Sequence, residues 1–157
     1  DIILKLSNLL DYILYQVKNP KVSLEEEIMH LNEYIALEQM RFQDTLKVSF
    51  RTENTDRHKM IPPMLLIPFV ENAFKHGNLI DGYLRVDIKI ILDRDSLKFE
   101  IRNTVKTEDD TNKKPGIGLE NIKKRLDLIY PNDYKLHVTT EKNWYIVDLL
   151  IENINDV

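Results

Sequence analysis

The sequence has no cysteine in its 157 residues. Disulfides, thiolate chemistry and cysteine-held metal sites are therefore excluded. No stretch reaches the roughly eighteen continuous apolar residues that a membrane-spanning helix needs. Basic residues are not in excess: 22 Lys and Arg stand against 26 Asp and Glu, a net charge of -4. General nucleic-acid binding needs a basic surface, so no nucleic-acid partner is expected, although a local basic pocket for a small anion stays open. There is no initiator Met, and Asp1-Ile2-Ile3-Leu4-Lys5 is not a signal peptide. The chain opens inside an apolar helical pattern, as expected of a piece of something longer.

What is present suits one globular domain with a little to spare: 43% hydrophobic residues against 31% charged allow a substantial core. Ile3, Leu6, Leu10, Ile13 and Val17 alternate spacings of three and four, the seam of a coiled coil or bundle, and Leu9 and Leu14 widen it. Such a helix wants a partner. Asn19-Pro20 ends it. Ser23-Leu24-Glu25-Glu26 reads as a capping box, opening a helix to about Phe42 with Leu24, Ile28, Leu31, Ile35 and Met40 on its apolar face. Leu46, Val48 and Phe50 alternate as in a strand. Pro62-Pro63 predicts a helix from Met64 to about His76, closed by Gly77 as C-cap. Strands are expected near 83–92 and 97–103, a polar loop over 104–115, a helix from Gly116-Ile117-Gly118 to about Tyr130, and strands near 134–140 and 144–151. This order predicts an α+β fold, a two-layer α/β sandwich with one mixed sheet covered by helices on one face, preceded by an N-terminal helix.

Two clusters carry chemistry. In Glu71-Asn72-Ala73-Phe74-Lys75-His76-Gly77, residues Asn72, Lys75 and His76 are three and four apart and share a helix face. An amide oxygen, an ammonium and an imidazole together suit a phosphate with its Mg2+, a cation that keeps several waters and can take a single Asn as its protein ligand. A solvated helix face would show the same residues. In Gly116-Ile117-Gly118-Leu119-Glu120-Asn121, glycines before a helix let backbone N–H groups approach an anion. A plain loop-to-helix junction would also read this way. Neither a P-loop nor a dinucleotide-binding fingerprint occurs.

Taken in order, the Asn-bearing helix, two strands, a loop and a GxGLxN helix start resemble the GHKL ATPase superfamily, and closely its LytS-like sensor histidine kinases. The segment from Pro62 to Gly77 is similar to that branch's N box, and Gly116 to Leu126 to its G2 box. The lead-in from Leu24-Glu25-Glu26-Glu27 through Glu38 and Arg41-Phe42 is similar as well. The resemblance implies a Bergerat-fold ATP pocket over 21–157, with residues 1–20 the C-terminal part of a dimerisation and histidine-phosphotransfer helix region. It makes Asn72 the Mg2+ ligand and gives phosphate contacts to Lys75 and His76. Gly116 and Gly118, with Ile117, Leu119 and Asn121 beside them, form the hinge of an ATP lid. Lys113 or Lys114, in a lid over 104–115, would reach the γ-phosphate. Glu71 is the candidate for polarising an attacking imidazole or orienting a water, or else for pairing with a basic side chain. Arg125 is read as structural, and Trp144 and Tyr145 as packing residues.

Two departures stand out. Where the family places Asp-x-Gly-x-Gly, this chain has Asn103-Thr104-Val105; Asn103 can still accept a bond from the adenine amino group, without charge. The acceptor histidine, which the family carries upstream in an Asn-Pro-His-Phe motif, is absent: His30, His58 and His137 lack that context and are read as surface or structural. The resemblance thus implies transfer of the ATP γ-phosphoryl group to a histidine upstream, relay to a response regulator, and a homodimer through the N-terminal helix. It implies a cytoplasmic domain of an inner-membrane bacterial sensor, with the membrane reached only through upstream segments. The rivals are a non-catalytic nucleotide-binding module, another GHKL ATPase or serine kinase, and a helical interaction module that binds no nucleotide.

Overall fold

The computed structural model describes residues 2–15, 19–53, 58–106 and 117–154. Helix α1 (Ile2–Tyr15) leads to a two-residue strand β1 (Val22–Ser23) and helix α2 (Leu24–Phe42). The expected capping box is formed: Glu26 N donates to Ser23 Oγ at 3.2 Å, and Ser23 N donates to Glu26 Oε2 at 3.1 Å. A second short strand, β3 (Met60–Ile61), pairs antiparallel with β1, setting Val22 opposite Ile61. Leu24 N donates to Lys59 O at 2.8 Å, pinning the start of α2 to this ribbon. Two residues are too few to show an alternating pattern, so this ribbon was not foreseen.

The main sheet is built from β2 (Leu46–Glu53), β4 (Leu84–Asp93), β5 (Ser96–Thr104), β6 (Tyr134–Glu141) and β7 (Trp144–Ile151). Its order is β2-β4-β5-β7-β6, with β2 parallel to β4 and every other pairing antiparallel, so the sheet is mixed as expected. A parallel pair needs a crossover, and helix α3 (Ile67–His76) lies in the stretch that supplies it. Helix α4 (Ile117–Ile129) follows β5.

Strand periodicity divides the sheet into two faces. Val86, Ile88, Ile90, Phe99, Ile101, Val147 and Leu149 are buried on the inner face, together with Phe69, Val70 and Ala73 of α3 and Leu119, Ile122 and Leu126 of α4. Phe69 and Phe99 meet with ring centroids 5.5 Å apart. The other face holds Ser49, Arg51, Asp87, Lys89, Glu100 and Arg102, with Arg102 Nε donating to Asp87 at 2.8 Å. The helices therefore cover one face only. Arg102 also lies 4.7 Å above the Trp144 ring, and Tyr145 packs against the core. Among the described residues no helix is long and apolar enough to cross a membrane.

Two expectations need correction around α3. The helix begins at Ile67, not at Met64, because Met64 takes a left-handed backbone with φ 55° that no helix accommodates. Pro68, rather than Pro62-Pro63, is the proline of the first turn. Gly77 does cap the C-terminus, but with φ -68° and ψ 150°, a conformation open to any residue. Its glycine is required by space: a Cβ there would meet Leu84 Cδ1 at 2.4 Å and Ala73 O at 2.7 Å.

Helix α1 packs on α2 through Tyr12, whose buried ring stacks on His30 with centroids 3.8 Å apart. Of the predicted seam, Ile3, Leu10 and Leu14 are exposed, as is Leu4. The side chains of Leu6, Leu9, Ile13 and Val17 lie outside the described residues.

Candidate functional site

Helix α3 carries Glu71, Asn72, Lys75 and His76, while its buried residues Phe69, Val70, Ala73 and Phe74 fix which face turns inward. Glu71, Lys75 and His76 are exposed and Asn72 is half-buried. The first turn of α4 comes up against Asn72: a Cβ on Gly118 would stand 3.1 Å from Asn72 Oδ1. The two clusters, far apart in the chain, thus meet in space, and the absence of a side chain at Gly118 leaves the amide oxygen its room.

Asn103 closes a third side. It ends the inward row Leu97, Phe99, Ile101, Asn103 of β5 and is 2% exposed. Its Nδ2 lies 3.4 Å from the position a Cβ on Gly77 would take, so it sits beside the C-terminus of α3. The chain just beyond is tied down. Thr104 Oγ1 donates to Asn78 O at 2.8 Å, Asn78 N donates to Thr104 O at 2.7 Å, and Lys106 N donates to Asn78 Oδ1 at 3.1 Å. Arg85 N donates to Thr104 Oγ1 at 3.1 Å. No residue of 104–106 has a positive φ, so this corner needs no glycine through Lys106.

The remaining predicted residues divide. Leu119 is buried in the core, so only its backbone can face a ligand, and Asn121 is exposed on α4. Ile117 opens α4, with its side chain outside the described residues; Lys113, Lys114 and Gly116 lie outside them entirely. Among the described residues no group of three or more His, Cys, Asp or Glu gathers as a metal site. A divalent cation at Asn72 would have this one amide oxygen and otherwise the oxygens of its ligand and water, which suits Mg2+. On the α2 side, Tyr34 has its pKa raised, first by burial and then by the charges of Glu38 and Glu71. The histidines behave as read: His30 is buried against Tyr12 with Nδ1 3.0 Å from Glu33, and His58 and His137 are exposed.

Sequence reading missed what holds the start of α3. Glu27, on α2, is 0% exposed. Its Oε1 accepts from Leu66 N at 2.8 Å and Ile67 N at 3.4 Å, and its Oε2 from Met64 N at 2.9 Å and from the Tyr12 hydroxyl. Arg125 of α4 donates from Nη1 to Met64 O at 2.6 Å and from Nη2 to Pro63 O at 2.5 Å, which accords with its structural reading. The available signal was positional: Glu27 lies three residues after Leu24 and four before Leu31, a carboxylate inside an apolar stripe.

Comparison with known proteins bears on the family and the fold. A family model described as histidine kinase matches residues 1–46. The sensor histidine kinase BtsS of Escherichia coli is 32% identical over 126 residues, covering 79% of this chain and 22% of BtsS. The sensor protein kinase HptS of Staphylococcus aureus is 33% identical over 96 residues, 61% of this chain and 18% of HptS. The chain thus spans about a fifth of the length of these relatives. The histidine kinase domain of the blue-light activated kinase of Erythrobacter litoralis superposes with TM-score 0.64 at 16% identity, covering 99% of this chain and 79% of that one. The kinase ThkA, solved with the response regulator protein TrrA, gives 0.62 at 15% identity over 99% of this chain and 49% of its own. Sequence relatives and shared fold agree: the chain belongs to the sensor histidine kinase family, in its LytS-like branch with the GHKL fold.

Proposed function

We propose that this chain is the ATP-binding catalytic part of a two-component sensor histidine kinase, with residues 21–157 the catalytic domain and 1–20 the end of the dimerisation helix region. The observation that carries the reading is the approach of Gly118 to Asn72 Oδ1 at 3.1 Å, measured to a Cβ built on the glycine. It brings a hard oxygen donor beside the first turn of a helix, the two features that an Mg2+-bound phosphate needs close together. Mg2+, when bound at Asn72, supplies charge neutralisation on the phosphate oxygens. Lys75 adds positive charge and His76 a hydrogen-bond donor, Asn103 takes the adenine amino group, and the backbone of Gly116 and Gly118 meets the phosphates, with Lys113 or Lys114 on the γ-phosphate.

The reaction is an in-line displacement. A bond forms between an imidazole nitrogen of the upstream acceptor and the γ-phosphorus, and the bond to the β–γ bridging oxygen breaks, its electron pair leaving with ADP. Glu71, exposed on the same helix, is the candidate to polarise that imidazole. ThkA, of the same fold, is solved with a response regulator protein, and ShkA, also of this fold with TM-score 0.60, with AMPPNP. The first supports a response regulator partner here, and the second a nucleotide substrate. The exposed Leu4, Leu10 and Leu14 on α1 support a homodimer through that helix.

Calorimetric titration with Mg-ADP, beside Asn72→Ala, tests the reading. Binding by the unaltered chain and a large loss in the variant are expected, and restoring the upstream segment should then give autophosphorylation. Asn103 in place of the family's Asp favours a second reading, a nucleotide-sensing module without transfer. It moves to first place if nucleotide binds and the restored protein takes no phosphoryl group; no binding at millimolar nucleotide overturns both readings.

A further inference from the structure

Met64 holds a left-handed backbone at φ 55°, which a non-glycine residue keeps only when its neighbours impose it. They impose it from both sides. The N–H groups of Met64, Leu66 and Ile67 converge on the buried carboxylate of Glu27, and the carbonyls of Pro63 and Met64 converge on the guanidinium of Arg125. Leu66, the N-cap of α3, offers no side-chain cap of its own. Glu27 fills that role from another helix, with its charge aligned to the helix dipole.

The clamp has a third member. The Tyr12 hydroxyl donates to Glu27 Oε2 and also accepts from Met64 N at 3.1 Å, while its ring is held flat on His30 with an interplanar angle of 20°. Burial first, and then the Glu27 charge, raise the Tyr12 pKa, which keeps the hydroxyl a donor. One residue of α1 therefore touches both the carboxylate that anchors α3 and the strained residue before it. Asn72 lies five residues past Ile67 on that helix, about 7.5 Å at 1.5 Å per residue. Arg125, the opposite jaw, stands on the helix whose first turn holds Gly118.

We propose that Glu27 is a positioning residue for the Asn72-bearing helix, and that the Tyr12 hydroxyl makes this positioning depend on where α1 sits. The inference rests on the nucleotide reading and deepens it by naming how the site is regulated. A turn or slide of α1 by an ångström or two takes the hydroxyl out of reach. Glu27 then loses a donor, Met64 N loses an acceptor, and Asn72 loses its fixed distance from Gly118.

The test is the gain in ADP affinity that Mg2+ brings, taken as the ratio of dissociation constants in EDTA and in Mg2+. It is measured on the full chain for the unaltered protein, Tyr12→Phe and Glu27→Gln. Tyr12→Phe keeps the ring and removes only the hydroxyl, so it remains informative if Glu27→Gln fails to fold. The expected result is a gain reduced about threefold or more in Tyr12→Phe, the loss of one hydrogen bond to a charged group, and further in Glu27→Gln, with Mg2+-free affinity changed less than about twofold. A general loss of fold would lower both affinities together. An unchanged gain in Tyr12→Phe overturns the proposal while leaving the nucleotide site standing. Absence of ADP binding in the unaltered chain overturns the nucleotide reading and this inference with it.

Discussion

Gly118 stands so close to Asn72 that a methyl group on its Cα would lie 3.1 Å from the amide oxygen. The backbone there is ordinary helix, where alanine is favoured over glycine by about 1 kcal/mol in intrinsic propensity. Gly118→Ala should therefore leave thermal stability unchanged or slightly raised while pushing the Asn72 side chain aside. The expected outcome is about a tenfold loss of Mg-ADP affinity, on the scale of one charge-assisted contact. Melting and titration on the same sample check it; an unchanged affinity would mean that Asn72 yields without cost.

Gly77 gives the opposite split. A Cβ there meets a side-chain carbon at 2.4 Å and the backbone oxygen of Ala73 at 2.7 Å, and the latter cannot step aside without opening the end of α3. Gly77→Ala should cost about 1–3 kcal/mol, the range for overpacking. Urea unfolding measures it.

Tyr130 is 1% exposed, and its hydroxyl finds no hydrogen-bond partner among the described residues. A buried polar group left unpaired costs about 1–3 kcal/mol, so Tyr130→Phe should stabilise the fold by about 1 kcal/mol at neutral pH. Burial pushes its pKa up to about 12 from an ordinary 10.0. The folded pKa is the higher one, so the unfolded chain loses this proton first. The contribution is whole below pH 10 and is lost as pH rises through the folded value near 12. Stability followed over that window should fall less steeply in Tyr130→Phe.

Arg125 donates to two carbonyls of the turn that enters α3. Arg125→Met keeps the apolar stem and strands both acceptors, at an expected cost of about 1.5–3 kcal/mol. Arg125→Lys, with one point charge in place of a fork, should recover only part. Thermal melts of the two variants rank them.

How far the sequence could be read depended on the range of the signal. Alternation over β4, β5 and β7 and the 3.6 period of α2 are local patterns, and their bounds were legible to within a residue or two. Asn72 and Gly118 stood out as motifs, although nothing in their spacing showed that they touch. The start of α3 was misread because a Pro-Pro pair looks like a first turn. The residue that breaks the helix there, Met64, owes its conformation to Glu27 and Arg125, thirty-seven and sixty-one positions away. Glu27 itself sits in a run of three glutamates, the first exposed and the second half-buried in the capping box, and only the tertiary fold separates the third from its neighbours.

Strand order bears on when this site can come into being. Every residue gathered around Asn72 lies at or before Arg125, yet β5, which carries Asn103 one residue from its end, is paired along its far side with β7, Asn103 opposite Tyr145 and Leu97 opposite Ile151. A chain emerging from the ribosome carries all the ligand-facing groups well before it carries their support. Until the last strand has been made, β5 is an edge held through β4 alone, Asn103 opposite Val86, so the backing of the pocket is completed last.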